Sequence, residues 1–425
     1  MIKPIMTLML TGFAGLHGLT LPEAQSALLS RNPEALSARL QVRTAKDQLA
    51  EARAAWHPSL SLFAGYSWTS DTQSIRMPPP IGTRTLGTND KVETGADLSW
   101  PLFTGLSRYY TCAGASHEAE AQSLVAQAAE NRLSFQLGMV YFAWELSRKQ
   151  MDVQKALIAQ ITEMAVTVNN RLAAGMATTA QTADAKARLA AARVDFIGLQ
   201  GRSDSLKWEI LYLTQGTDTA FVPEEYSFPS GTAGVDSIRL SDTTRPELVA
   251  LTLTEQALLD RKKAARSKHL PSVAGVIGYR YSNPGLDMGA DAYRGYSIAG
   301  LQANWTLYDG FRAQAQARQL SERAEAAGLE RKRLQSRFNA DLERAKTALI
   351  RARLQQEAAL ASVKAATEAA ANTKNAVDAG SAASLDYLDA TSRLAQSRFL
   401  LEQSRFLIKS ACLTLIYAEG RPIRF

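Results

Sequence analysis

The chain has 425 residues, of which 46% are hydrophobic and 21% charged, and its formal net charge is +7. That composition excludes a disordered chain. No window beyond the N-terminus holds about 18 uninterrupted apolar residues, so no internal transmembrane helix is expected. Lys and Arg alternate with Glu and Asp along the sequence, which favours solvated helix faces and speaks against a nucleic-acid partner.

In chain order, the opening stretch MIKPIMTLMLTGFAGLHGLTLPEAQ carries Lys3 and an apolar run to Leu16. It reads as a signal peptide within residues 1–20. An ordinary buried segment is the alternative, since no A-x-A triplet marks a cleavage site. No Cys lies in the first hundred residues, which argues against a lipid-anchored N-terminus.

A helix is expected over about 21–56, then strands over about 58–69 and 92–103 with a Pro- and Gly-rich loop, RMPPPIGTRTLGTND, between them. From Gly105 to about Ala173 no Pro interrupts a helical tract, and a shorter helix returns over about 180–213. Residues 214–244 read as a linker. The same order then recurs: helix over about 245–269, strands over about 271–282 and 296–308, a long helix from Gly310 to Ala379, and a return over about 383–418. Each long tract is roughly 69 residues, which spans about 100 Å at helical rise.

The recurrence is a duplication. Pro33, Pro58, Gly65 and Tyr66 stand 213 positions before Pro246, Pro271, Gly278 and Tyr279. Beyond the first loop the offset becomes 205, pairing Trp100 with Trp305, Gly105 with Gly310, Gly175 with Gly380, Asp184 with Asp389 and Arg188 with Arg393. The domains expected are therefore a first repeat at 21–213, the linker, and a second repeat at 245–425.

The strands alternate. Leu60, Leu62, Ala64, Tyr66 and Trp68 share one face, opposite Ser59, Ser61, Gly65 and Ser67; Leu98 and Trp100 oppose Asp97 and Ser99; Leu301, Ala303, Trp305 and Leu307 oppose Gln302 and Asn304. One apolar face at period two means half-buried strands. They could cover the core of a soluble sheet. They also fit a membrane barrel, apolar outside and polar inside. Four strands cannot close a barrel, for which about eight is the practical minimum, so several chains would have to share one.

Catalytic chemistry finds no foothold. Cys112 and Cys412 are expected to be free thiols, the four His do not cluster, and no nucleophile motif, phosphate loop or dinucleotide fingerprint occurs. No enzyme, metal or cofactor is expected.

With WPLFTG and WTLYDG at the strand–helix junctions, and AGSAASLDYLDATSRLAQSRFLLEQS at 379–404, the chain resembles the TolC-like outer-membrane factors, the outer membrane efflux protein family. The resemblance covers nearly everything after the first twenty residues. It implies a mainly α fold with a small β part: a long helical coiled-coil barrel in the periplasm and four transmembrane strands per chain, closed as a twelve-stranded barrel in a homotrimer. It implies an outer-membrane exit duct for drugs or small toxic compounds, working with a periplasmic adaptor and an inner-membrane pump; a type I protein-secretion duct is the alternative. A structural coiled-coil surface protein is a more remote one, since it leaves the paired strands unexplained.

By match to the family motifs, Asp386 and Asp389 would line the periplasmic aperture, with Gln181 and Asp184 at the duplicate positions. Gln181 stands where another aperture acid is expected, and Ala382 where some relatives place a gate-locking Arg. The plainer reading of Asp386 is a carboxylate in the first turn of a helix capped by Ser384. Gly175 with Met176, and Gly380 with Ser381, would form the tips that meet the adaptor, or simply tight turns with Gly at the helix C-cap. Trp100, Gly105, Trp305 and Gly310 would mark the membrane interface, where an apolar ring with a polar N–H is at home.

Overall fold

The computed structural model describes residues 17–71, 73–86, 89–217, 221–228, 245–286 and 292–425. Most of the expected signal peptide and of the 214–244 linker lies outside the described residues.

Along the chain come β1 (His17–Leu19), α1 (Leu21–Arg31), α2 (Pro33–Ala54), β2 (Ser59–Trp68), β3 (Gln73–Arg76), β4 (Thr83–Leu86), β5 (Asp90–Thr104), α3 (Ser107–Ala173), α4 (Thr179–Thr214), β6 (Phe221–Pro223), α5 (Pro246–Arg266), β7 (Ser272–Asn283), β8 (Arg294–Asn304), α6 (Arg312–Asp378) and α7 (Ser384–Glu419). The fold is mainly helical with a small β part, as expected, and the two long helices run 67 residues each.

Three expectations need correction. The helix expected over 21–56 is two helices, because Asn32 precedes Pro33 and takes extended backbone (φ −64°, ψ 126°) where the proline ring disfavours the helical conformation. The loop expected between the first two strands contains a hairpin, β3 against β4, with Gln73 opposite Leu86 and Arg76 opposite Thr83. The strand expected to reach 308 stops at Asn304. It ends where its partner β7 begins, with Asn304 opposite Ser272, and β5 likewise ends with Thr104 opposite Ser272.

The chain divides into two compact units. One comprises residues 41–124 and 250–332, the other 1–40, 125–249 and 333–425.

The first unit holds the four-stranded antiparallel sheet in the order β2-β5-β7-β8. Its register sets Leu60 opposite Leu98, Leu98 opposite Ile277, and Ile277 opposite Ala299. The side chains expected on one face thus share it across all four strands. That face is open rather than half-buried: Leu60, Leu62 and Leu301 are 70%, 81% and 76% exposed.

The second unit holds the main core. Leu21 and Leu28 of α1, Leu133, Leu137, Tyr141, Phe142 and Trp144 of α3, Ile210 and Leu213 of α4 and Leu413 of α7 are buried together. Each such side chain contributes about 1.5–3 kcal/mol by leaving water. Tyr141 also serves the short parallel pair β1–β6: its hydroxyl donates to the Leu19 carbonyl at 2.6 Å and accepts from the Glu224 N–H at 2.9 Å.

The duplication has a structural signature here. Each residue before a helix-opening proline bonds the C-terminal end of a returning helix. Asn32 Nδ2 donates to the Leu213 carbonyl at 2.9 Å. Its counterpart Arg245, 1% exposed, donates from Nη2 to the carbonyls of Ala418 and Tyr417, both at 2.7 Å, and stacks over the Phe338 ring at 3.6 Å.

Candidate functional site

The sheet presents two chemically distinct faces. Opposite the open apolar face lie Ser59, Ser61, Asp97 and Ser99, with Asp97 across from Gly278. On this polar side Arg280 Nη1 donates to Glu93 at 2.8 Å, Nη2 to Asp97 at 3.4 Å, and the guanidinium lies 5.1 Å from the Phe63 ring. Charged groups therefore meet one another across neighbouring strands, on the face away from the leucines.

At the ends of β5 and β8 the two junctions are built alike. Trp100 donates its indole N–H to the Trp56 carbonyl at 3.2 Å, and Trp305 donates to the His269 carbonyl at 2.9 Å. Trp56 and His269 are themselves duplicate positions, each two residues before a strand-opening proline. Each Trp thus pins the strand exit to the strand entry. The turn that follows uses two left-handed residues in succession: Gly105 (φ 59°) with Leu106 (φ 67°), and Gly310 (φ 69°) with Phe311 (φ 63°). The glycine was legible in the sequence; the strained residue after it was not, since Leu and Phe carry no signal for positive φ. Asp309 then accepts from the Ala313 N–H at 2.9 Å and caps α6, and that backbone bond holds its carboxyl below the usual range.

The two glycines differ in surroundings. A Cβ on Gly105 would lie 2.6 Å from the Ser267 carbonyl oxygen, whereas one on Gly310 meets nothing within 4 Å. Gly105→Ala should therefore cost about 2–4 kcal/mol and Gly310→Ala about 1 kcal/mol, the cost of positive φ alone. Melting curves of the two purified variants measure this; equal losses would mean that the close approach is not limiting.

At the far ends of the long helices the chain turns twice in the same way. Gly175 (φ 73°) bonds the Leu172 carbonyl at 3.0 Å, and Met176 the Arg171 carbonyl at 2.8 Å. Gly380 (φ 75°) bonds Val377 at 3.2 Å, and Ser381 bonds Ala376 at 2.8 Å. Both are left-handed helix C-caps, and Met176 at the first tip is 73% exposed. Arg171, which the sequence did not single out, joins the two turns: it donates to Ser384 Oγ at 3.2 Å and to the Val377 carbonyl at 3.4 Å.

The four carboxylate or amide candidates fall into two kinds. Gln181 and Asp386 do the same capping work: Gln181 accepts from the Thr178 N–H at 2.9 Å and Asp386 from the Ala383 N–H at 3.0 Å. The N-cap of α7 is Ala383, not Ser384. Ser384 opens the helix and its hydroxyl is taken by Arg171. Asp184 and Asp389 instead converge on one guanidinium, with Arg188 Nε 2.8 Å from Asp184 and Nη1 2.6 Å from Asp389. Burial works against the Arg188 charge, but the bonds to Asp184 and Asp389 outweigh it and its pKa rises. A cavity of about 260 Å³ lies beside this bridge, lined by Val168, Gln181, Asp184, Ser384, Leu385 and Leu388.

Neither a metal-holding cluster nor a helix long and apolar enough to cross a membrane occurs among the described residues. Cys112 and Cys412 are free thiols in helices α3 and α7, and Cys412 is buried.

A strand pair with an open apolar face, written twice and followed each time by a very long helix, has relatives among known proteins. The sequence profile described as "Outer membrane efflux protein" matches residues 24–205 and 238–421. The chain belongs to the outer membrane efflux protein family. Among the family's proteins, "Outer membrane protein TolC" of Vibrio cholerae serotype O1 is 23% identical over 415 residues, covering 94% of this chain and 90% of its own length. Solved structures share the fold. The outer membrane protein VceC of Vibrio cholerae superposes with a TM-score of 0.77 at 19% identity, over 94% of this chain and 96% of its own. The Campylobacter jejuni CmeC outer membrane channel gives 0.77 at 15% identity, over 94% and 85%. Membership of this efflux family makes the chain an outer-membrane transport protein, and the open apolar face of the sheet is the surface suited to lipid.

Proposed function

We propose that the protein is the outer-membrane channel of a tripartite export system, passing drugs or small toxic compounds. Three chains would each lend four strands to one twelve-stranded barrel, and their helices would form a duct reaching into the periplasm. The observation that carries this reading is the sheet itself. Its leucine face is uncovered, and its edge strands β2 and β8 have no outer neighbour among the described residues. An open sheet edge cannot stand in a membrane, where every backbone group needs a partner. A second and third copy supply those partners and close the ring. The TolC, VceC and CmeC likenesses support the same reading.

In this assembly the two repeats, 21–213 and 245–425, place Trp100, Gly105, Trp305 and Gly310 at the membrane interface. The tips at Gly175, Met176, Gly380 and Ser381 meet the adaptor, and an inner-membrane pump delivers the cargo. Asp386 and Asp389, with Gln181 and Asp184 beside them, line the narrow periplasmic end, where three copies of each acid favour cations.

Detergent-extracted protein should have the mass of a trimer and conduct ions in planar bilayers. Asp386→Ala with Asp389→Ala should lower cation selectivity and weaken block by trivalent cations added from the periplasmic side. A stable monomer that inserts into lipid would sink the shared barrel. An unchanged reversal potential in a salt gradient would remove the two acids from the pore.

A further inference from the structure

On the polar face of β2 stand Ser59, Ser61, Gly65 and Ser67, and among them Phe63, an aromatic ring on the side that suits water. The register accounts for it. Phe63 lies opposite Gly95, and Gly95 opposite Arg280, so this row has a gap at its middle strand. Ring and guanidinium lean toward each other over the gap and meet at 5.1 Å. A Cβ on Gly95 would lie 2.9 Å from the ring. In the next row Asp97 lies opposite Gly278, and a Cβ there would meet its Oδ1. Arg280 is thus held along the sheet, forked between Glu93 and Asp97 of the neighbouring strand. Glu93 has a second cation, with Oε2 3.0 Å from Lys91. Asp97 has Arg280 alone among the described residues.

We propose that Arg280 is a specificity-determining residue of the channel. By covering Asp97 and sharing Glu93 it keeps the outer part of the barrel passable to anionic solutes, carboxylates among them, while the periplasmic end favours cations. The inference rests on the shared-barrel reading, which turns this face to the lumen. The charged residues on the polar face of the four strands are Lys91, Arg280 and Arg294 against Glu93 and Asp97, so each chain gives the wall a small positive excess. Without Arg280 the excess is gone and Asp97 stands bare, three times around the barrel. Arg280, Glu93 and Asp97 are all partly exposed, within reach of a passing solute. In a water-filled bore with low-dielectric walls such charges act well beyond contact, since the field is focused and screening takes about 8 Å at physiological salt. Phe63 is a positioning residue: its ring attracts the guanidinium and fixes where the positive charge sits. The group lies at the end of β5 away from the Trp junction, because Gly95 comes nine residues before Thr104, roughly 30 Å along the strand.

The test is single-channel recording on full-length trimers, with hexamminecobalt(III) added from the extracellular side. Arg280→Gln bares Asp97; it should strengthen that block several-fold and lower chloride permeability relative to potassium. Arg280→Lys keeps the charge and should keep most of the wild-type behaviour. Arg280→Gln combined with Asp97→Asn removes both charges and should bring the block back to its wild-type weakness. Asp97→Asn alone changes the wall the other way and should bring block by a trivalent anion, hexacyanoferrate(III), from the same side. Trimer mass checks assembly, and Asp97→Asn tests the proposal even if Arg280→Gln does not assemble. Block from the periplasmic side, which reads the aperture acids, should keep its wild-type strength throughout. A lower melting temperature in Arg280→Gln with unchanged extracellular-side block would mark a cross-strand pair that serves the sheet alone, and would overturn the proposal. Conducting trimers indifferent to both Arg280→Gln and Asp97→Asn would overturn it too and leave the shared barrel standing. Absence of conducting trimers in the wild type would overturn both.

Discussion

Leu301→Arg should abolish most outer-membrane assembly, and Leu98→Arg should do nearly the same, while Ser99→Arg assembles well. Leu98 and Leu301 lie on the open leucine face, and Ser99, next along the same strand as Leu98, lies on the other. A charged residue facing lipid near the bilayer midplane costs about 2–4 kcal/mol per copy. In a three-chain barrel that cost is incurred three times over, about 6–12 kcal/mol in all, comparable to the whole stability of many domains. Ser99→Arg adds a charge to a face that already holds Asp97, Glu93 and Arg280, where water is available. Trimer yield in washed outer membranes reads the difference. Equal yields from all three variants would invert or void the assignment of faces.

Arg245→Ala should be the most destabilising single change in the helical unit, by about 3–5 kcal/mol. The side chain is 1% exposed, and truncation takes away the donors that it gives to the Ala418 carbonyl at the end of α7, while the Tyr417 carbonyl keeps only the Gly420 N–H at 3.1 Å. Hydrogen bonds to a charged donor are worth about 1.5–3 kcal/mol, and the guanidinium also opposes the negative end of the helix dipole. The void over Phe338 adds to the loss. Asn32→Ala, at the duplicate position, removes a neutral donor to the Leu213 carbonyl and should cost about 1–2 kcal/mol. Arg245→Met restores much of the volume but no donor, and so should fall between wild type and Arg245→Ala. Thermal melts of the solubilised protein rank the four. If Arg245→Met matches wild type, packing rather than carbonyl capping is what Arg245 supplies.

The repeated elements were legible because their signals are local and strong. Period-two leucines mark the strands, and long Pro-free tracts mark the helices. Gly175 and Gly380 sit at the turns where a glycine at the helix C-cap was expected, so boundaries at the tips fall within a residue or two of the reading. The break at Asn32 was also written in the sequence, as the proline after it, and was outweighed by the helical pattern on both sides. The β3–β4 hairpin hid inside a stretch dense in Pro and Gly. Contacts between distant segments left no local trace: Arg188 reaching Asp389, Arg171 reaching Ser384, Arg245 reaching Ala418. Yet the constant offsets held a clue. Where Trp56 and His269 share a place in the duplication, so do the two tryptophans that bond them, and pairing duplicate positions would have found both junction bonds. The same pairing would have set Arg245 beside Asn32 and pointed each at the end of a helix.

The β3–β4 hairpin also gives the molecule a handle. It follows β2, at the end of the sheet away from the Trp junctions, and its turn carries Ile81, 61% exposed. The connection between β7 and β8 is shorter, so the duplicated halves are unequal here. Loop tips of this kind accept inserted sequence because few contacts depend on them. An epitope or dye carried there would label each chain once, at the end of the barrel that faces outward from the cell. Intact bacteria could then be counted for surface-displayed channels without opening the envelope, and movement of single channels in the living membrane could be followed without touching the duct.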